Sequence, residues 1–146
     1  MTTTVQWVFD RAMALMDELN SSTGSSETSD TTEYKVRTIP ILNILRNECY
    51  PASDTFLAST DGTRAVCPEM TSMTDIIYLD DALAQGVLPY GLAAHLLLDE
   101  NPSSASFFQQ RYEELLKFFR SNLPVSGSEQ IEDLYGGIGL GWFGRW

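Results

Sequence analysis

Histidine occurs once and cysteine twice in this chain, so the side chains that most often carry catalysis or hold metals are nearly missing. Cys49 and Cys67 stand 18 residues apart, with no CxxC spacing and no histidine nearby to complete a tetrahedral site. Two reduced thiols and no bound metal are the expectation. A conventional Ser/His/Asp or Cys/His arrangement would have to use His95, which sits in the apolar run AAHLLLDE and reads as a core or interface histidine. Basic residues are also scarce, 9 against 20 acids, and the net charge of −11 leaves no electrostatic footprint for a phosphate backbone. Tight nucleic-acid binding is excluded on that ground. Long apolar runs are lacking too. No segment approaches the roughly 20 residues that cross a bilayer, and the N-terminal MTTTVQWVFDRAMALMDEL has no basic region of a signal peptide, so no membrane association is expected.

Nor do nucleotide motifs fill the gap. There is no P-loop lysine motif, and GGIGLG at 136–141 has neither a strand before it nor room for a helix after it. Asp80-Asp81, Asp99-Glu100, Glu113-Glu114 and Glu132-Asp133 are neighbours in sequence, and adjacent helical positions diverge, so each pair reads as a cap or a solvated face. No catalytic, cofactor-binding or metal-binding residue is assigned.

What the chain does hold is the material of one domain: 146 residues with 43% hydrophobic content, enough for a single core. Residues 5–19 place Val5, Val8, Phe9, Ala12, Met13, Leu15, Met16 and Leu19 at helical steps, with Thr3 or Thr4 as cap and Asn20 as terminator. A second helix is expected from Thr31 or Thr32 through residue 50, with Tyr34, Ile41, Leu42, Leu45 and Cys49 inward and a kink or break at Pro40. A third begins at Asp80 or Asp81, is interrupted near Gly86 to Pro89, and continues into core positions Leu92, Ala93, Leu96, Leu97 and Leu98. Asn101-Pro102 opens a fourth, whose inward stripe is Phe108, Tyr112, Leu115 and Phe119, while Phe107 and Phe118 lie off it and face a neighbour. The fold class is therefore mainly α, a short bundle of about four helices over residues 1–122.

Two insertions depart from that pattern. Residues 20–32, NSSTGSSETSDTT, contain no hydrophobic residue and predict a flexible surface loop. Residues 51–74 carry an Asp61-Gly62 turn between β-friendly pieces and predict a small hairpin leaning on the helices or on a neighbouring subunit.

From 123 to 146 the character changes again. The last eleven residues hold five glycines together with Trp142, Phe143 and Trp146. Exposed aromatics on a terminus favour association, and tryptophan and phenylalanine are enriched at the centres of interfaces. The segment reads as an extended interaction arm, with Ile138, Leu140, Trp142, Phe143, Arg145 and Trp146 as partner-binding residues; folding back on its own domain is the competing outcome.

The stretch DIIYLDDALAQGVLPYGLAAHLLLDENPSSASFFQQRYEELLKFF resembles the C-terminal helical part of small head-to-tail connector, or adaptor, proteins of tailed bacteriophages. The most telling pieces are the Leu-Pro-Tyr-Gly-Leu-Ala run at 88–93 and the Asn-Pro helix with Gln-Arg-Tyr-Glu-Glu-Leu at 101–115, and the helix from Tyr34 to Tyr50 fits the same plan. The resemblance spans residues 5–120. It implies a structural protein of the virion neck, made in the host cytoplasm and assembled as a ring with itself, commonly of twelve subunits. Its partners would be the portal and a tail, stopper or tail-completion protein, with DNA passing through the lumen unbound. No cofactor is implied. An acidic inhibitor or DNA mimic of a DNA-processing protein is the alternative from another class, and a small enzyme on an unfamiliar acidic site is a third.

Overall fold

Thr4 lies in extended backbone and its hydroxyl accepts the Trp7 N–H at 3.2 Å, which starts the first helix, α1 (Val5–Leu15). The computed structural model describes residues 1–122 and is mainly α-helical, as the periodicity predicts. The arm at 123–146, with Ile138, Leu140, Trp142, Phe143, Arg145 and Trp146, lies outside the described residues.

Helix α1 buries Val5, Val8, Phe9, Ala12 and Met13 but stops short of the expected end at 19. Asp17 turns left-handed at φ 60, and the N–H groups of Asp17 and Glu18 reach back to the Ala14 and Met13 carbonyls at 3.3 and 2.9 Å. This closure normally uses glycine or asparagine; aspartate is among the few other residues that tolerate it.

The segment 20–32 is not surface throughout. Ser26 and Thr31 are buried. The Ser26 hydroxyl donates to Asp10 Oδ1 at 2.5 Å, and the Thr31 hydroxyl donates to the Ser26 carbonyl at 2.8 Å. Short hydroxyl side chains thus close the loop against α1 by hydrogen bonds where apolar contacts are lacking.

Helix α2 (Thr32–Cys49) runs through Pro40 without a break. The proline withholds the bond to the Val36 carbonyl, and both residues are exposed, so that the cost of the missing bond is small there. Its inner face is Tyr34, Thr38, Leu42, Leu45 and Cys49, while Ile41 is half-buried. Arg46 joins that face with 1% of its surface exposed, which a hydropathy reading does not anticipate.

The hairpin expected at 51–74 does not form, and no strand occurs among the described residues. A 3-10 turn at Tyr50–Ala52 leads into irregular chain. The Asp61-Gly62 turn exists, with Gly62 at φ 82, but the chain on its C-terminal side pairs with side chains of α2 instead of with a second strand. Asn43 exchanges two hydrogen bonds with the Met70 backbone at 2.9 and 3.0 Å, and Asn47 Oδ1 accepts the Cys67 N–H at 3.3 Å. Between them the Arg46 guanidinium donates to the Pro68 carbonyl and, at 3.3 Å, to the Cys67 carbonyl. One antiparallel bridge, Thr4 to Ile76, then ties the segment to the start of α1.

Asp80 caps α3 (Asp81–Gly86) by accepting the Leu83 N–H at 2.8 Å. The break expected near Gly86 separates it from α4 (Leu88–Leu96), whose Leu88, Leu92 and Leu96 are fully buried. Leu97 is buried as well, but Leu98 falls past the helix end and is exposed, against expectation. Gly91 lets α4 meet both neighbours closely: a Cβ there would stand 2.8 Å from the Tyr112 ring and 3.0 Å from Leu45.

Asn101 caps α5 (Pro102–Ser121) by accepting the Ser104 N–H at 3.1 Å, as the Asn-Pro pair predicts. The buried stripe is Ala105, Phe108, Tyr112 and Leu116; Leu115 and Phe119 are only half-buried. Helix α4 packs against α1, α2, α3 and α5 and is the centre of the bundle.

Truncating Arg46 strands two loop carbonyls at a buried site. Arg46→Ala is expected to lower the unfolding free energy by about 3 kcal/mol in urea titration, and a loss under about 0.5 kcal/mol would show that the loop is held otherwise.

Candidate interaction surfaces

Apolar residues on α2 and α5 occur on both sides of each helix. On α2 the inner residues pack on α4, while Val36, Pro40 and Ile44, at successive steps of four, point outward. Val36 is 74% and Ile44 64% exposed. On α5 the outward row is Phe107, Arg111, Glu114 and Phe118, with Phe107 62% and Phe118 61% exposed. An Arg111–Glu114 ion pair at 3.6 Å lies between the two aromatic rings. The expectation that Phe107 and Phe118 leave the core is thus met. A single exposed apolar side chain is ordinary, but aligned rows on two helices are not.

Two concavities adjoin these helices. A groove of about 410 Å³ between the end of α4 and the start of α5 is lined by Ala94, His95, Leu98, Pro102, Ala105 and Gln109. His95 is exposed at this groove, which removes the core alternative of the core-or-interface reading. Its helix position explains this: Leu92 and Leu96 take the inward side, and His95 falls between them on the outer one. Its ring has no hydrogen-bond partner among the described residues, and only its carbonyl is engaged, by Arg37 at 3.4 Å.

The second cleft, about 590 Å³, includes Asp54, Asp80, Asp81, Phe119 and Asn122. Two of its three carboxylates, those of Asp80 and Asp81, are already occupied. Asp81 accepts the Thr2 and Thr3 N–H groups at 2.7 and 3.0 Å and the Thr3 hydroxyl at 2.7 Å. Asp80 caps α3 with one oxygen and takes the Ser53 hydroxyl at 3.1 Å with the other. Among the described residues no group of three or more His, Cys, Asp or Glu side chains could hold a metal ion. No helix of the described residues is long and apolar enough to cross a membrane.

No protein-family model, curated protein or solved structure matches this chain.

The remaining polar chemistry is internal. Tyr112 donates to Glu48 Oε2 at 2.8 Å and touches the Cys49 thiol at 3.5 Å, and burial, followed by these neighbours, pushes its hydroxyl well above the usual tyrosine range. Burial likewise holds the Cys49 thiol up at about 11, so it is a packed side chain rather than a nucleophile. Cys67 is buried and its thiol is raised by the same cause. Both cysteines are free. Tyr34 donates to Glu100 at the other end of α2. Sequence reasoning did not find these tyrosine–carboxylate ties, because partners 64 and 66 residues apart leave no local pattern.

The Asp81 carboxyl is held well below its ordinary value of 3.8, chiefly by the Thr2 N–H and next by the Thr3 hydroxyl. Its stabilising contribution is therefore complete above 3.8 and is lost as the pH falls through the folded-state value. Asp81→Asn should melt below wild type at neutral pH, with the gap closing in strong acid. A gap that stays constant across that range would refute the assignment.

Proposed function

We propose that this chain is a structural protein of a tailed-phage virion, a head-to-tail connector subunit that forms a ring between portal and tail. One observation carries the reading: the core is closed, yet α2 leaves the row Val36, Pro40 and Ile44 exposed, and α5 leaves exposed the rings of Phe107 and Phe118 on either side of the Arg111–Glu114 pair. Two separate exposed rows on different helices suit a subunit with neighbours on two sides.

The charge distribution fits. Between residues 54 and 81 there are six acids and one base, and between 17 and 30 four acids and no base. Such segments facing a lumen would let DNA slide without adhering. The arm, through Trp142, Phe143 and Trp146, would supply anchors for the portal or an adjacent ring subunit.

The acidic inhibitor or DNA mimic is the second reading, and the same acid-rich segments favour it. It needs carboxylates free to imitate phosphates. Asp75, Asp80 and Asp81 are instead spent on backbone N–H and hydroxyl groups of their own chain, which weighs toward the connector.

Deletion of residues 136–146 tests the arm. Far-UV circular dichroism should be unchanged and capture by a portal assembly lost. Undiminished capture would overturn the role, and lost helicity would reassign the arm to its own domain.

A further inference from the structure

Resting on the reading of the chain as a ring subunit, we infer that the ring is closed by α5 of one copy packing antiparallel on α2 of the next, Phe118 against Val36 and Phe107 against Ile44. Two dissimilar rows on one chain make a heterologous contact, which propagates around a ring, whereas a self-complementary row would stop at a dimer. The rows are comparable in length: at about 1.5 Å per residue, Val36 to Ile44 spans about 12 Å and Phe107 to Phe118 about 17 Å, a difference that the long phenylalanine side chains can bridge.

Charge selects the direction. Glu33, three residues before Val36 and on the same side of α2, is exposed and has no ionic partner among the described residues. Lys117, beside Phe118, is likewise exposed and unpaired there. An antiparallel crossing brings these two charges together across the interface; a parallel one leaves Lys117 toward Glu48, which already accepts the Tyr112 hydroxyl. Both helices carry one net positive charge, Arg111, Lys117 and Arg120 against Glu113 and Glu114 on α5 and Lys35, Arg37 and Arg46 against Glu33 and Glu48 on α2, so direction rests on the placement of Glu33 and Lys117 and not on net charge. The aromatic rings would supply the contact, with the ion pair setting register.

Disulfide trapping in the full chain tests this. Val36→Cys and Phe118→Cys chains are mixed at a concentration where wild type is assembled and exposed to mild oxidant. Non-reducing gels and peptide mapping then identify the links. All altered positions are exposed, so folding is retained, and circular dichroism checks it; Cys49 and Cys67 are buried and give the wild-type background. Links from 36 to 118, and from 44 to 107 in the Ile44→Cys and Phe107→Cys pair, are expected to dominate. Dominant links from 44 to 118 would overturn the antiparallel direction. Links of 36 to 36 or 118 to 118 would overturn the heterologous contact. An assembled wild type that yields no link from any of these positions would place the contact elsewhere and sink the inference while leaving the ring reading intact. A chain that stays monomeric at every concentration would sink both. As a second readout, Lys117→Glu should weaken assembly about fivefold at low salt, and Glu33→Lys in the same chain should restore it.

Discussion

Helix α4 is so apolar that it must be covered on nearly every side, and this requirement arranges the rest of the molecule. Every residue of α4 except Tyr90 and His95 is buried, so α1, α2, α3 and α5 all spend inner residues on it. Gly91 brings α2 and α5 close enough for Leu45 and the Tyr112 ring to fill the space where a side chain would stand. Once those inner faces are used, the apolar residues on the far sides of α2 and α5 have nothing left to pack on among the described residues. The surface read here as an assembly surface follows from how the core is satisfied.

Polar side chains do what the missing sheet would have done. Asn43, Arg46 and Asn47 on α2 pair with the backbone of 67–70 as a neighbouring strand would, and Asp81 performs the same service for residues 2 and 3. A buried guanidinium is costly to desolvate, and its pKa is lowered by that burial, so it is retained for the carbonyls it holds and not for its charge. The Asp80 and Asp81 carboxylates of the cleft are spent in the same way.

Much of the fold was legible because its signals are local. Thr4, Asp80 and Asn101 were each readable as caps from the residue type preceding a periodic run, and each accepts the expected backbone N–H. The interruption between α3 and α4 and the outward setting of Phe107 and Phe118 were equally plain. The misses share a cause: tertiary contacts overrode local preference. Asp17 ended α1 through a left-handed turn that is uncommon for aspartate, and the 51–74 segment exchanged strand pairing for bonds to α2. His95 was read as core or interface and Leu98 as core because their neighbours in sequence are apolar, although the helical angle carries His95 outward and Leu98 falls past the end of α4. Of the candidate site, the arm rests on composition alone, while the outer row of α2 was missed because Val36 and Ile44 were overshadowed by the inward pattern of Leu42 and Leu45.

Native mass spectrometry of the full chain over a dilution series, alone and with a portal assembly, tests the central claim most directly. The account predicts one dominant closed oligomer with many copies of the chain, dissociating on dilution and stabilised by the portal. A monomer at every concentration, with or without the portal, would contradict it.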